Sequence, residues 1–312
     1  MATTNSALAT SGFRLDNMIS LEINRLLSDT ANLRNSPYLQ YAGSINGLGT
    51  SKIRIRKYSL GGRDNFAAAT SETQDHAGDA IDPTVAFADI SVARQYLIRQ
   101  ISDLASLAGY GSEDLNPFNL AADMALSYEA RFADLTADTA ALLSTNTVGS
   151  NSTQMSVDLF FQAIQDLQSA DNNRGIDNTQ ICMVLHPSAL AKLQDSLRSE
   201  SNNAVSMMQA TQDMLAVKGK GFVGNLFGCD VYKSSFVNTT GGKKNFMLAP
   251  RCIAYADGIP SQLPEAVDFM QMGKIVVEMQ RQGTQALTQI IGHAYMGFGI
   301  VDQNKGVLIT TA

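Results

Sequence analysis

A short glycine-rich stretch is the part of this sequence that comes nearest to a cofactor-binding motif. Residues Gly219 to Gly224, GKGFVG, match the pattern G-x-G-x-x-G. In dinucleotide-binding proteins this pattern follows a strand and opens a helix, and an acidic residue that binds the ribose comes about 20 positions later. Here a helix-like segment precedes the glycines, a strand follows them, and Asp230 comes far too soon. We interpret the stretch as a loop and expect no cofactor-binding residues.

Three histidines are the side chains best suited to acid–base or metal chemistry: His76, His186 and His293. None of them has Cys, Asp or Glu at the spacing of a metal site, so each is interpreted as a capping, surface or packing residue. The motifs G-x-S-x-G and H-E-x-x-H and the phosphate-binding loop of nucleotide hydrolases do not occur. We therefore expect no catalytic residues, no metal ligands and no enzymatic activity.

Composition excludes several further classes. The three cysteines, Cys182, Cys229 and Cys252, form no C-x-x-C pair, which predicts reduced thiols rather than disulfides or a zinc site. The net charge of −6 argues against a dedicated nucleic-acid-binding protein. No run of about 18 apolar residues occurs, so no membrane span is expected, and the first residues lack the features of a signal peptide.

The element around which the chain is organised is a long helix predicted over residues 116–144. Asn116 is a good N-cap, and Pro117 suits the first helical position. One stripe recurs every three or four residues: Leu120, Met124, Tyr128, Phe132, Leu135, Thr139 and Leu142. At 1.5 Å per residue the helix would be about 42 Å long from Pro117 to Ser144. Because the stripe is too narrow for a fully buried helix, one side should carry a sheet and the other should remain for another partner.

A hairpin is predicted before this helix. Residues 52–58, KIRIRKY, alternate like a half-exposed strand, and residues 85–101 form a second extended stretch. The long polar segment between them has the length of a functional or disordered loop. An isolated hairpin is marginal in water, and the sequence offers no obvious internal partner for it. Residues 13–34, further upstream, are predicted to form an amphipathic helix.

The rest of the chain divides into two parts. Residues 156–255 alternate between helix and strand patterns, with Ser156 as an N-cap, a third helix over 203–216, and one strand through the region 245–256. Residues 267–312 are rich in strands, and the glycines in 287–301 predict a bent or bulged strand there.

Opposite charges are concentrated on two of these elements. The basic residues on the first hairpin strand are Lys52, Arg54, Arg56 and Lys57, and the acidic residues on the long helix are Asp123, Glu129, Asp134 and Asp138. A solvated edge strand protected against aggregation would also account for the basic set. Asp134 and Asp138, four residues apart, repel each other by roughly 0.2–0.5 kcal/mol in an isolated helix. We hypothesise that the basic hairpin of one subunit crosses the acidic helix of another.

The order of these elements, and three local stretches, resemble one known family. Residues 183–197, MVLHPSALAKLQDSL, are similar to a strand–helix step, and residues 219–235, GKGFVGNLFGCDVYKSS, to the stretch that follows it. Residues 274–311, which begin KIVVEMQRQ and end GVLITT, are similar to the closing strands. The family is that of the major capsid proteins of tailed bacteriophages (Caudoviricetes), and the resemblance covers essentially the whole chain.

The resemblance implies an α+β chain with the tailed-phage major-capsid fold. This fold has an N-terminal arm, an extended hairpin loop, a long spine helix with a peripheral-domain sheet, and an α/β axial domain. The implied division is 1–34 for the arm, 35–115 for the extended loop and its base, 116–155 for the peripheral domain with the spine helix, 156–260 for the axial domain, and 261–312 for the closing peripheral strands.

The resemblance also implies a function, which is self-assembly into hexamers and pentamers that form an icosahedral shell around packaged double-stranded DNA. The implied partners are other copies of the chain, a separate scaffolding protein, a portal protein, a cement protein, and the DNA through non-specific contact, without a membrane. The shell would be made and assembled in the cytoplasm of a host bacterium and would end in the virion. Because residues 59–84 contain no lysine, we expect no covalent Lys–Asn crosslink between subunits.

Three alternatives remain open. An encapsulin-like nanocompartment shell would share the fold but enclose a cargo enzyme. A tail or decoration protein should lack the long helix. A nucleotide-binding enzyme depends only on the glycine match at 219–224.

Overall fold

The computed structural model describes residues 38–59, 84–104, 117–170, 176–200, 221–258, 269–272 and 275–312. The predicted N-terminal helix at 13–34, the tip of the hairpin and the predicted helix at 203–216 lie outside these residues.

The described residues form helices and strands in two large sheets and one hairpin. The helices are α1 (Pro117–Ala140), α2 (Val157–Ser169) and α3 (Pro187–Glu200). The strands are β1 (Leu39–Ser44), β2 (Lys52–Ser59), β3 (Thr84–Ser91), β4 (Ala93–Ser102), β5 (Thr147–Gly149), β6 (Cys182–Leu185), β7 (Phe222–Leu226), β8 (Cys229–Lys233), β9 (Lys243–Leu248), β10 (Ile253–Gly258), β11 (Phe269–Met272), β12 (Ile275–Gln282), β13 (Leu287–Ile300) and β14 (Gly306–Thr311).

The long predicted helix is confirmed as α1, although it ends earlier than predicted. It has 24 residues, which corresponds to about 36 Å at 1.5 Å per residue. Met124, Tyr128 and Phe132 are buried, as the stripe predicts. Leu142 was assigned to the same stripe, and this is wrong: it is 69% exposed, whereas Leu143 is buried. The reason is that the chain leaves the helix after Ala140, so the helical spacing no longer applies.

The first sheet is built around β13. Its strand order is β1-β10-β13-β12-β11, and β4 pairs with the opposite edge of β13. The first half of β13 pairs with β12 and the second half with β10, both antiparallel, whereas β1 runs parallel to β10. One long strand therefore aligns two shorter strands end to end.

The predicted bulge in this strand is not present in the described pairings. The registers of β13 with β4, β10 and β12 contain no shift. Its glycines serve a different purpose, because Gly297 and Gly299 lie where the end of β3 packs against β13. A Cβ atom placed on Gly297 would lie 2.1 Å from the main-chain oxygen of Ser91. The absence of a side chain is thus what permits this close approach.

The second sheet has the order β5-β14-β9-β6-β8-β7. Helices α2 and α3 cover one face of it, where Phe160, Leu193 and Leu197 pack against Met183 and Met247. The other face is directed towards α1. Ser156 caps α2 as predicted, since its hydroxyl oxygen accepts a hydrogen bond from the main-chain nitrogen of Leu159 at 3.3 Å.

Two strand assignments made from the sequence need correction. The region 245–256 is two strands in different sheets, β9 and β10, because the chain turns at Arg251, which has a φ of +67°. The last strand, β14, belongs to the second sheet rather than to the sheet of β12 and β13. Val307 and Ile309 pack on the side of α2, and Leu308 packs on the side of α1. A strand buried on both faces belongs inside a sheet that is covered on both faces.

The hairpin of β2 and β3 has an internal partner at its base, contrary to expectation. Ile90 and Val92 are buried against Ala254 and Ala256 of β10, with Ile53 packed beside them. The small residues of β10 and β13 leave the space that these side chains occupy. The rest of the described core forms two larger clusters, one that joins α1 to both sheets and one between the second sheet and helices α2 and α3.

A buried hydrogen bond fixes the start of β1. The hydroxyl of Tyr38 donates to the carboxylate of Asp230 in the second sheet at 2.5 Å. Burial, followed by this hydrogen bond, raises the pKa of Tyr38 well above its ordinary value, so the phenol remains a donor. The bond therefore joins β1 in one sheet to β8 in the other.

Replacing Tyr38 by phenylalanine is expected to lower the free energy of unfolding by about 1–3 kcal/mol, because the buried Asp230 carboxylate would lose a donor. Urea unfolding of the two proteins measures the difference. Tyr96→Phe is the matched control, since Tyr96 is 63% exposed, and it should change stability by no more than about 0.5 kcal/mol. Equal effects of the two substitutions would contradict the assignment.

Candidate functional surfaces

The hairpin of β2 and β3 presents a basic surface. Its register runs without a shift from Lys52 opposite Ser91 to Ser59 opposite Thr84. Lys52, Arg54 and Arg56 are exposed, whereas the intervening isoleucines face the interior, as the alternation predicts.

Arg54 forms the most organised part of this surface. Its Nε and Nη2 atoms donate to the two carboxylate oxygens of Asp89 at 2.8 and 3.0 Å, and its guanidinium lies 5.3 Å from the centre of the Phe87 ring. The hydrogen bond from Arg54 lowers the pKa of Asp89 below its ordinary value. Exposed ion pairs add little stability. The arrangement instead holds an arginine and an exposed aromatic ring side by side, which is a common composition for a binding surface.

Lys57 differs from the other three cations, which are exposed, because it is partly buried and pairs with a residue outside the hairpin. Its Nζ atom lies 2.7 Å from the Asp302 carboxylate, and both side chains are partly buried. The same carboxylate accepts a hydrogen bond from the main-chain nitrogen of Asn304 at 3.2 Å. Lys57 therefore ties the hairpin to the turn that follows β13.

The acidic residues of α1 also have partners within the chain. Asp123 pairs with Arg99 of β4, and Asp134 pairs with Arg131 one turn earlier. Asp138 accepts a hydrogen bond from the Asn238 side chain at 2.9 Å. These contacts offset the repulsion between the two neighbouring aspartates without a second subunit. The predicted contact between the basic and acidic sets of different subunits stays a prediction.

The side of α1 that carries Leu126, Glu129, Ala130 and Ala133 lines an open groove of about 450 Å³. Its walls come from α1, from β6 and β8, and from the residues that follow β8, and they include Leu126, Glu129, Ala130, Ala133, Lys233 and Phe236. Leu126 is 60% exposed and Phe236 is 41% exposed. Because Ala130 and Ala133 have short side chains, the helix surface is recessed there and forms the floor of the groove. The groove therefore lies on the side of α1 that was predicted to be available for another partner.

The described part of the stretch with the glycine pattern leads into a strand, whereas a dinucleotide-binding loop opens a helix. Gly221 precedes β7, so a strand follows it, as the sequence indicates, whereas Gly219 and Lys220 lie outside the described residues. Within the described ranges, no group of three or more His, Cys, Asp or Glu side chains could hold a metal ion.

The two described histidines, His186 and His293, each contact a neighbouring polar side chain of the fold. His186 precedes α3, where its Nδ1 lies 2.8 Å from the Ser188 hydroxyl, and burial beside Lys243 lowers its pKa. This is the geometry of a helix cap. His293 is buried in the first sheet with its Nε2 atom 3.2 Å from the Glu278 carboxylate. His76 lies outside the described residues.

The three cysteines are fully buried and unpaired. Burial raises the pKa of the Cys229 thiol to about 12, and it raises the pKa values of Cys182 and Cys252 well above the ordinary range. Since the thiolate is the reactive form, these thiols are unreactive in the folded chain.

Sequence reasoning missed an exposed aromatic pair. Phe161 is 44% exposed on α2, whereas its neighbour Phe160 takes the buried position. Its ring lies 4.9 Å from that of Phe227. Phe227 has a φ of +48° in the two-residue turn between β7 and β8, where asparagine or glycine is preferred. In the sequence, Phe227-Gly228 between two short strand patterns was the feature that could have indicated this exposed turn.

No α-helix in the described part of the chain is both long and apolar enough to cross a membrane.

Comparison with known proteins identifies the fold. No family model matches the chain, and no curated protein matches it. Solved structures do. A structure from Mycobacterium phage Che8 is 16% identical and has a TM-score of 0.55, with 90% of each chain covered. The head structure of Helicobacter pylori bacteriophage KHP40 is 10% identical, with a TM-score of 0.54 and 86% of each chain covered.

A further match is the holo-SrpI encapsulin complex from Synechococcus elongatus, which is 11% identical, with a TM-score of 0.57 and 90% of each chain covered. The fold predicted from the sequence is therefore confirmed: the chain has the α+β fold of tailed-phage capsid proteins, which encapsulin shares.

Proposed function

We propose that this chain is a structural protein, the major capsid protein of a tailed bacteriophage, and that it assembles into hexamers and pentamers of an icosahedral shell around double-stranded DNA. One observation carries the proposal: the likeness to solved phage structures, one of them a phage head structure, covers 86–90% of this chain. A shell needs many copies of one chain with complementary surfaces.

The surfaces described above supply such complementarity. The hairpin carries exposed cations and the Phe87 ring, and α1 carries acidic residues beside an apolar groove. Because the two surfaces differ, contact between them would be heterologous, and heterologous contacts close into rings when the rotation permits. We infer that the hairpin of one subunit docks on the α1 groove of its neighbour, with Lys52, Arg54 and Arg56 near Glu129 and the aspartates.

The division of the chain into an arm, a loop, and peripheral and axial domains is retained as part of this proposal. The first sheet with α1 would form the peripheral domain, and the second sheet with α2 and α3 would form the axial domain. β14 would then join the peripheral end of the chain to the axial sheet.

Arg56 offers the clearest test of the docking contact. Arg56→Glu is expected to reduce assembly at low salt, where screening is weak, and to leave the fold unchanged because the side chain is exposed. Arg54 is less suitable, since its reversal would also break the pair with Asp89. Adding Glu129→Lys to the first substitution should restore assembly. The yield of particles by sedimentation velocity measures both effects.

Arg198→Glu on α3 is the control, because it reverses an exposed cation away from the hairpin and disturbs only a 3.9 Å contact with the exposed Asp195. Assembly that is unchanged by Arg56→Glu, or equally reduced by the control, would overturn the docking contact and leave the capsid proposal intact.

The remaining partners follow from the same proposal. They are a separate scaffolding protein, a portal protein, a cement protein, and packaged DNA through weak non-specific contact that suits the net charge of −6. Assembly would take place in the host bacterial cytoplasm, and the product would be the virion. Without a lysine in the hairpin tip, fully denatured shells should run as single chains on a gel rather than as a ladder.

The experiment that tests the function is sedimentation velocity with negative-stain microscopy, on protein made with and without its scaffold gene. Shells, or rings of five and six subunits, are the expected result. A compact monomer under every condition would contradict the proposal.

An encapsulin-like shell is the second candidate, favoured by the likeness to the holo-SrpI encapsulin complex. The contents of purified particles separate the two functions, because genome-length DNA supports a phage capsid and a protein cargo supports a nanocompartment.

A further inference from the structure

The loop between β1 and β2 contains Asn46-Gly47, the only Asn-Gly pair in the sequence. Both residues are exposed, as are the next three. The main-chain nitrogen of Leu48 donates to the Ile45 oxygen at 3.1 Å and closes a turn. Gly47 has a φ of +76°, whereas Asn46 is not among the residues with positive φ. This is the pattern of a type II turn, in which the first central residue is extended with ψ near about +120°.

We propose that Asn46 is a site of spontaneous deamidation. The main-chain nitrogen of Gly47 attacks the side-chain carbonyl carbon of Asn46, and a new C–N bond forms. The side-chain amide leaves as ammonia, taking the proton that the Gly47 nitrogen releases, and a cyclic succinimide remains. Water then opens the ring at either carbonyl, giving aspartate or isoaspartate at position 46. The net reaction consumes one water and releases one ammonia.

Three features of the loop favour ring closure. Asn46 is exposed, so its side-chain carbonyl carbon can be reached. Glycine adds no side chain that would hinder the attack, and a Cβ atom at Gly47 would meet nothing within 4 Å, so the surroundings are open. Among the described backbone hydrogen bonds outside helices and strands, none uses the Gly47 nitrogen as donor.

Two other pairs provide internal comparisons. Asp257-Gly258 has the same second residue, but it lies buried in β10, and its carboxylate accepts a hydrogen bond from Tyr41 at 2.6 Å. Asn151-Ser152 is exposed, but its second residue carries a side chain. The structure therefore predicts conversion at Asn46 and retention at the other two.

The change would act at the root of the hairpin. Isoaspartate adds one carbon to the main chain of the joint between β1 in the first sheet and β2 in the hairpin, and it places a new carboxylate in this exposed loop. This inference is independent of the proposed function, since the chemistry concerns the single chain.

The test is to incubate the purified protein in neutral and mildly alkaline buffer, digest it with trypsin, and analyse the peptide covering residues 35–52 by mass spectrometry. Fragment ions separate Asn46 from Asn35, and methylation by an isoaspartate-specific methyltransferase identifies the rearranged product. We expect conversion at position 46 that is faster at higher pH, because the attacking nitrogen must lose its proton.

Asn46→Gln and Gly47→Ala are the control variants, and each should abolish the isoaspartate signal. Asn46→Gln keeps the turn, so the test does not depend on the strain that alanine brings at a positive φ. Asn46 that keeps its amide while Asn151 converts would overturn the inference, as would a signal that survives Asn46→Gln.

Discussion

Gly297→Ala is expected to displace the base of the hairpin and to lower the free energy of unfolding by about 1–3 kcal/mol or more, as overpacking does. The added methyl group would lie 2.1 Å from the Ser91 oxygen and 2.9 Å from the Val92 Cα atom. Both obstacles are main chain, which cannot rotate away as a side chain can. The clash can therefore be relieved only if β3 moves away from β13. That movement would expose the Ile90 side chain, which is fully buried in the wild-type chain.

Denaturant unfolding gives the loss of stability, and hydrogen exchange of β2 and β3 gives its location. Gly292→Ala in the same strand is the control, because its nearest neighbour is the flexible Met124 side chain at 3.4 Å. The control should be mild. If the two variants lost stability equally, the close approach at Gly297 would not be the cause.

The long helix shows what the sequence can establish. Its start is marked by Asn116 and Pro117, and its buried side by a regular spacing, so both were predictable. Its end was not, because the alanines at 140 and 141 continue the helical pattern and no glycine follows to mark a stop.

Strand partners lie beyond such local reasoning. A buried strand such as β14 shows its burial in its composition, but nothing in it distinguishes a partner in the first sheet from one in the second. The choice depends on β9, more than 50 residues earlier, and on the helices that cover both faces.

In the candidate surfaces, too, features that depend on local spacing were predictable, and features that depend on distant residues were not. Alternation along β2 correctly placed its cations on the exposed side. The ion pairs that hold Arg54 and Lys57 join residues separated by 35 and 245 positions, and only the folded chain brings them together. The groove on α1 likewise needs the residues after β8, so the sequence could indicate a free side of the helix but not its shape.

Phe132→Ala is expected to have the largest effect on folding, a loss of about 3–5 kcal/mol in the free energy of unfolding. The Phe132 ring is 4% exposed, and it lies 5.4 Å from the ring of Tyr255 and 4.9 Å from that of Phe298. Both partners belong to the first sheet, so the substitution would open a cavity where α1 packs on that sheet. Thermal or denaturant unfolding of the single chain measures the loss.

Leu126→Ala on the same helix should behave in the opposite way. Because Leu126 is 60% exposed in the single chain, its removal should change stability by no more than about 0.5 kcal/mol. If the groove receives the hairpin of a neighbour, the same change should reduce assembly, since the contact would lose apolar area only in the assembled state. A Leu126 variant that assembles normally would remove the groove from the interface. A Phe132 variant of normal stability would show that α1 is not held to the sheet through this ring.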